Sequence, residues 1–153
     1  MELQRCRTPI ELAELEKFLR SVDLTVTGLS DASVHAWVER DGDGAVVGST
    51  GWEVSGDGCH ALIRSVAVSP QRRHAGRGRA LAEFALNRAA RTGARTAWLF
   101  SRRSGGFWQG LGFTPADREQ LAEVLAETHQ VRMFRRTGQL QNEVAWVRVL
   151  QAE

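Results

Sequence analysis

Tyrosine is absent from the 153 residues, lysine occurs only at Lys17, and the cysteines are two, Cys6 and Cys59. Without tyrosine, no phenol can serve as a proton donor. Two cysteines so far apart form no metal-ligand or redox spacing, which leaves a reduced, cytoplasmic protein without a structural metal as the expectation. Proline is also scarce, at 3 residues, so no proline-rich linker divides the chain. No apolar run approaches the roughly 18–20 residues that span a bilayer, and no membrane association is expected. The first residues carry Glu2 and Glu11 among scattered leucines. They lack the basic-then-apolar order of a secretion signal. What is present is ordinary for a packed domain: 42% hydrophobic residues, 25% charged and 15 glycines. Residues 1–153 are therefore read as a single domain.

Charge is distributed unevenly. The net charge is only +2, but ten arginines and a single acid, Glu83, lie between Gly58 and Ala116. A basic middle in a nearly neutral chain suits a polyanionic ligand, with a solvated arginine-rich face as the alternative. Stacking aromatics are not interleaved with the arginines, which argues against nucleic acid as the partner.

Periodicity and turn chemistry divide the chain. Residues 3–7 read as a short strand. Thr8 and Glu11 form a capping box, with Pro9 at the first helical position, for a helix to about Leu19. Residues 21–33 show no clear period and read as a short helix or loop. Val34–Arg40, Ala45–Val54 and His60–Ser69 read as a three-strand meander joined by Asp41-Gly42-Asp43-Gly44 and Ser55-Gly56-Asp57-Gly58. A helix follows from Gly76 to about Thr92, then a strand over Arg95–Ser101 and a short helix over Ser104–Leu111. A further helix begins near Asp117 and carries Leu121, Val124, Leu125 and Thr128, and Glu143–Leu150 is a last strand. The pattern is one α/β domain with a mixed sheet.

The most informative stretch runs from Ile63 to Arg79. It is a strand, a basic turn with Gly76 and Gly78 one residue apart, and a helix start. Successive amides at such a start form an anion nest, and glycines let a phosphate approach the backbone. No Gly-Lys-Ser/Thr follows, so this is not a P-loop. Leu81 stands where a dinucleotide fingerprint needs a small residue, and no acid follows about 20 residues on. What remains, Val66-x-Val68-x-Pro70 and then Arg73-x-x-Gly76-x-Gly78, resembles the acetyl-CoA signature of the GCN5-related N-acetyltransferases, the GNAT superfamily. The element order resembles that superfamily along the whole chain. The run Phe107-Trp108-Gln109-Gly110-Leu111-Gly112-Phe113 is similar to its aromatic helix beside the CoA arm.

The resemblance implies a mixed, mostly antiparallel sheet splayed at its central strands and flanked by helices. It implies acetyl-CoA as donor and transfer to an amine by direct attack in a ternary complex, without a metal. The backbone N–H of Val66 would polarise the thioester carbonyl, and Val68 would pair with the pantetheine amides. Arg73, His74, Ala75, Gly76, Arg77, Gly78 and Arg79 would hold the pyrophosphate, and Phe107 would pack on the pantetheine. Arg77, Arg79, Arg102 and Arg103 are candidates for the ribose 3′-phosphate. Many members of the superfamily place a tyrosine on the aromatic helix to protonate the departing thiolate. Here Ser104 is the nearest hydroxyl, with helix capping as its alternative role.

An ammonium must lose a proton before it attacks. Glu53, the only acid in Ala45–Val54, is the leading expected base on strand alternation. A solvated edge position is its alternative, and His35 and His60 are further candidates. Gly48-Ser49-Thr50-Gly51-Trp52-Glu53, Ile63-Arg64-Ser65 and Leu111-Gly112-Phe113 through Arg118 and Thr128 resemble a branch of the superfamily. That branch includes short glutamate N-acetyltransferases and arsenic-resistance-associated acetyltransferases. It implies an amino acid or amino-acid-like acceptor whose carboxylate Arg64 holds bidentately; a surface strand position is the alternative for Arg64. Acetylation of a protein N-terminus or lysine, a non-catalytic acyl-CoA-binding module and a homodimer are further readings.

Overall fold

The computed structural model describes residues 2–73 and 76–150. Its elements are β1 (Gln4–Arg5), α1 (Pro9–Ser21), β2 (Val34–Arg40), β3 (Val46–Val54), β4 (His60–Val68), α2 (Arg77–Arg91), β5 (Thr96–Phe100), α3 (Gly105–Gly110), β6 (Thr114–Ala116), α4 (Arg118–Val124), α5 (His129–Thr137) and β7 (Ala145–Val149). The seven strands form one sheet in the order β1-β2-β3-β4-β5-β7-β6. Only the β4–β5 pair is parallel, since α2 carries the chain back to the start of the sheet between them.

Residues paired across strands share a face. The row Val34–Glu53–Leu62–Trp98–Val147 therefore lies on one side of the sheet, and the row His35–Trp52–Ile63 on the other. The first side is covered by two groups: Leu15, Phe18 and Leu19 of α1 pack on Val34, Ala36 and Val38, while Leu121, Leu125, Val131 and Phe134 pack on Leu62 and Trp98. The second side meets α2 and α3. There Ala82, Ala85, Leu86 and Ala89 pack with Trp108 and Phe113 against Trp52, Ile63, Leu99 and Trp146. Burial of these apolar stripes on both sides drives the three-layer arrangement.

The capping box at Thr8 forms as expected: the hydroxyl accepts from the Glu11 amide at 3.2 Å and the Glu11 carboxylate accepts from the Thr8 amide at 3.0 Å. One expectation narrows to its loop alternative, and another changes. Residues 22–33 contain turns and no helix. The single helix expected from Asp117 is two: Asp117 caps α4, which ends at Val124, and Thr128 caps α5 through a bond from the Val131 amide at 3.4 Å. Strand β6 was not expected; it has three residues and Pro115 at its centre, too short for an alternation to show.

Candidate active site

The two central strands part company after their first residues. β4 pairs with β5 only through His60–Thr96, Ala61–Ala97 and Leu62–Trp98, and Ile63–Val68 have no partner on that side. On the other side, β3 skips a step: Ser49 faces Ala67, while Gly51 faces Arg64. The surplus residue in β4 makes a bulge in which Ser65 takes φ 62°, a left-handed conformation costly for a residue with a side chain. The Ser49 hydroxyl, fully buried, donates to the Ser65 carbonyl at 2.6 Å and pins the bulge. Val66 consequently has no partner in either register. With no ladder partner on either side, its amide is a candidate donor for a ligand.

The gap between the strands opens into a cavity of about 1060 Å³, lined by Ile63–Val68 on one wall and Leu99–Ser104, Phe107 and Trp108 on the other. Arg73 and Gly78 close one end, and Val22–Thr25 with Gln130, Met133 and Thr137 of α5 close the other. At the Gly78 end lies the turn into α2. Gly76 takes φ 89° as the N-cap of α2 and contributes no side-chain cap, so the first amides of the helix face outward unsatisfied. A Cβ at Gly78 would lie 3.5 Å from Phe107 and 3.8 Å from Val68, so the absent side chain leaves a channel between them. Phe107 is 39% exposed and meets Trp108 edge-to-face at 4.9 Å, which presents an apolar flat surface to the cavity. His74 and Ala75 lie outside the described residues.

The basic residues divide by their partners. Arg73 Nε donates to the Val68 carbonyl at 3.0 Å, joining the turn to the end of β4. Arg77 is bonded to Glu39, and Arg79 Nε lies 2.9 Å from Glu83. Arg102 Nε lies 3.5 Å from Glu143, whereas Arg103 lines the cavity with no ion pair among the described residues. The Ser104 hydroxyl forms no cap bond to α3 and lines the cavity; the Ser104 amide donates to Ser101 Oγ at 3.1 Å.

Glu53 and Arg64 occupy other positions than the sequence suggested. Glu53 is 1% exposed, on the side of the sheet away from α2, and does not line the cavity. Its Oε2 accepts from Arg64 Nη1 at 2.9 Å and from the Gln130 amide at 3.3 Å, and its Oε1 accepts from the His129 amide at 2.6 Å. The carboxylate thus sits on the N-terminus of α5, where the helix dipole favours a negative charge. Both oxygens are committed to donors, so neither the expected base nor the solvated-edge alternative describes this residue. His35 stacks on Trp52 at 5.0 Å and its Nδ1 lies 3.1 Å from Arg5; His60 Nδ1 accepts from Trp98 Nε1 at 3.1 Å. Neither lines the cavity. Burial and the nearby Arg5 charge hold His35 below the usual imidazole range.

Arg64 is 4% exposed and lines the cavity rather than the surface. Burial pulls its guanidinium below its ordinary pKa, and Glu53 pulls the other way. Nη1 is spent on Glu53 and Nε reaches Ser65 Oγ at 3.4 Å, while Nη2 is buried without a partner among the described residues. The side chain itself is 0% exposed, so the guanidinium stands behind the cavity wall rather than in reach of a bidentate hold on a substrate. The carboxylates that line the cavity are Asp23, which takes φ 61°, and Glu143, which accepts from Gln139 Nε2 at 2.8 Å. Neither was singled out in the sequence, because nothing local marks them: Asp23 lies in the aperiodic stretch, and Glu143 is brought in by the segment that precedes β7.

Residues 32–115 match the acetyltransferase (GNAT) domain family. No curated protein matches the sequence. Among solved structures, the chain is similar to N-acetylglutamate synthase from Neisseria gonorrhoeae complexed with coenzyme A and N-acetyl-glutamate, at 18% identity and TM-score 0.70, over 98% of this chain and 35% of that one. It thus spans about a third of the length of that relative. It is also similar to Rv2747 from Mycobacterium tuberculosis in complex with CoA and NLQ (17%, TM-score 0.74, 99% and 100% covered). A third similar structure is an aminoglycoside 6'-N-acetyltransferase complexed with coenzyme A (11%, TM-score 0.71, 100% and 98% covered). The matched family region holds the bulged strand, the outward-facing amides of α2 and the aromatic helix beside them, and by that match the chain belongs to the GNAT acetyltransferase family.

Proposed function

We propose that the protein transfers the acetyl group of acetyl-CoA to the amine of a small molecule, an amino acid or amino-acid-like compound, by direct attack in a ternary complex. The observation that carries this reading is the Val66 amide, unpartnered in both registers and lining the same cavity as Gly78 and Phe107. The donor brings an activated thioester; the chain's own groups orient it. The amides that open α2 at Gly76–Arg79 hold the pyrophosphate, with Arg73 fixing the turn. Val68 and Phe107 flank the pantetheine, and the Val66 N–H meets the carbonyl oxygen on which negative charge develops. Arg103 is the arginine best free to assist the 3′-phosphate. Ser104, with its hydroxyl uncommitted, stands nearest to the departing sulfur. The amine sheds its proton toward Asp23 or Glu143, the carboxylates in the cavity, in place of Glu53.

The acceptor end supports a small polar molecule. Asp23, Thr25, Ser65 and Gln130 line it, and the fully buried Arg64 guanidinium stands behind them. Release of free thiol from acetyl-CoA, measured against a panel of amino acids and amines, tests the reading. Thiol release that depends on an amine supports it. Tight acetyl-CoA binding with no amine-dependent release would make the protein a binding module instead.

A further inference from the structure

Two residues other than glycine take a left-handed backbone among the described residues, Ser65 at φ 62° and Asp23 at φ 61°. Both line the cavity. Ser65 belongs to the bulge, and Asp23 lies at the acceptor end, in the turn that closes α1. There Val22 is the C-cap. The Asp23 amide donates to the Arg20 carbonyl at 3.2 Å, and the Leu24 amide to the Leu19 carbonyl at 2.9 Å. This paired closure favours glycine at the Asp23 position, because a Cβ there is strained. It also commonly folds the next apolar residue back onto the helix. Neither holds here. Leu24 stands outside the cluster of Leu15, Phe18 and Leu19, is 37% exposed and lines the cavity. Asp23 is exposed, and its carboxylate has no hydrogen bond or ion pair among the described residues. Glu143, the other carboxylate of the cavity, is committed: its Oε2 accepts from Gln139 Nε2 at 2.8 Å and lies 3.5 Å from Arg102 Nε. Strained residues that carry side chains cluster where a site uses them.

We propose that this turn reads the acceptor. Asp23 binds its ammonium and Leu24 its apolar body, so the acceptor is a primary amine with an apolar group and not an acidic amino acid. Leu24 does not stand alone. Phe100 and Met133, both partly buried, line the same end, and Phe100 meets Phe134 edge-to-face at 5.1 Å. An apolar group packed on Leu24, Phe100 and Met133 removes their remaining surface from water. The flexible thioether of Met133 adapts to its shape. The ammonium supplies the counter-charge and the N–H donors that Asp23 lacks within the chain. An acidic side chain on the acceptor would meet that same negative charge and leave the apolar wall uncovered. This inference rests on the transferase reading above and narrows its acceptor.

The test measures thiol release from acetyl-CoA with two sets of probes. The apolar set is 2-phenylethylamine, 3-methylbutylamine, L-phenylalanine and L-leucine; the polar set is L-glutamate, L-aspartate and D-glucosamine. At least one apolar acceptor should exceed every polar one in kcat/KM by about tenfold or more. Asp23→Gly then separates binding from backbone geometry, since glycine takes the left-handed turn without strain. Its urea midpoint should match or exceed that of the wild type. KM for the best acceptor should nevertheless rise about tenfold or more, with KM for acetyl-CoA unchanged. An unchanged acceptor KM would make Asp23 a helix terminator alone and overturn the proposal. Asp23→Asn, which also tolerates the turn but carries no charge, should show the same loss and replaces the glycine variant if that one fails to fold. A polar probe as the best acceptor, or equal rates for the two sets, would overturn the proposal while leaving the transferase reading intact. Thiol release that depends on no amine at all would remove the transferase reading and this inference with it.

Discussion

Glu53 and Arg64 have side chains that are 2% and 0% exposed, and each is the other's charge partner. Removing one partner leaves the other charge buried, so Glu53→Ala should cost about 3–5 kcal/mol in urea unfolding. Glu53→Gln keeps one acceptor oxygen, enough for the His129 amide or for Arg64 but not for both, and should cost less than Glu53→Ala. If the carboxylate were a solvated strand residue or a free base, neither variant would move stability by more than a few tenths. The two cysteines differ in the same way. Burial pushes the Cys6 thiol up to about 11, from an ordinary value of 9.0, whereas Cys59 is half-buried. The unfolded thiol ionises first, so the unfolded state binds fewer protons in that window and stability falls as pH rises from about 9 to 11. Cys6→Ala should flatten that alkaline slope, and a thiol reagent at pH 8 should label Cys59 well before Cys6. The Glu53–Arg64 pair was only half legible beforehand. Both residues stood out chemically, but their mutual bond depends on the β3–β4 register, which sets Glu53 opposite Leu62 and Arg64 opposite Gly51 on one side of the sheet. Gln130 gave no sequence signal, because its bonds are to Glu53 and Thr25, residues far away in the chain.

At the scale of elements, the bulge in β4 is the feature that turns a strand into a site. Its Ser65 carbonyl is held by Ser49, and its strain is offset by that bond and by pairing on either side. Ser49→Ala should destabilise by about 1 kcal/mol and lower kcat/KM by more than that loss accounts for, because the Val66 amide is no longer fixed. Thr50→Val removes a comparable buried bond, at 2.8 Å to the Leu81 carbonyl of α2 and not to the bulged strand itself. It should match Ser49→Ala in urea midpoint but stay nearer to wild type in rate. Equal rate losses would show that the bulge is not special. Strand boundaries were legible where turn glycines and alternation punctuate them: β2 spans Val34–Arg40, as the alternation predicts. The split between α4 and α5 was not, because Leu121, Leu125 and Val131 all face Leu62 and Trp98 and continue one apolar stripe. Only Thr128 marks the break, and a threonine inside a stripe reads as well for a helix position as for a cap.

For the molecule as a whole, the uneven charge finds its place at the parted strands. Arg73, Arg102 and Arg103 line the cavity that the β4–β5 gap opens, and the outward amides of α2 stand at its mouth. The fold was legible because the order of elements and the glycine turn are local signals. The depth of the acceptor end was not, since α5 and Val22–Thr25 reach it from opposite ends of the chain. We place acetyl-CoA in this gap, entered beside Gly78. Gly78 lies within α2 with a Cβ position in ordinary contact range, so Gly78→Val leaves the helix and its packing intact and fills the channel between Val68 and Phe107. Calorimetric titration of acetyl-CoA into the wild type and Gly78→Val, each checked for an unchanged melting temperature, measures the claim directly. One binding site in the wild type, weakened at least tenfold in the variant, is the predicted result; equal affinity in the two proteins would contradict it.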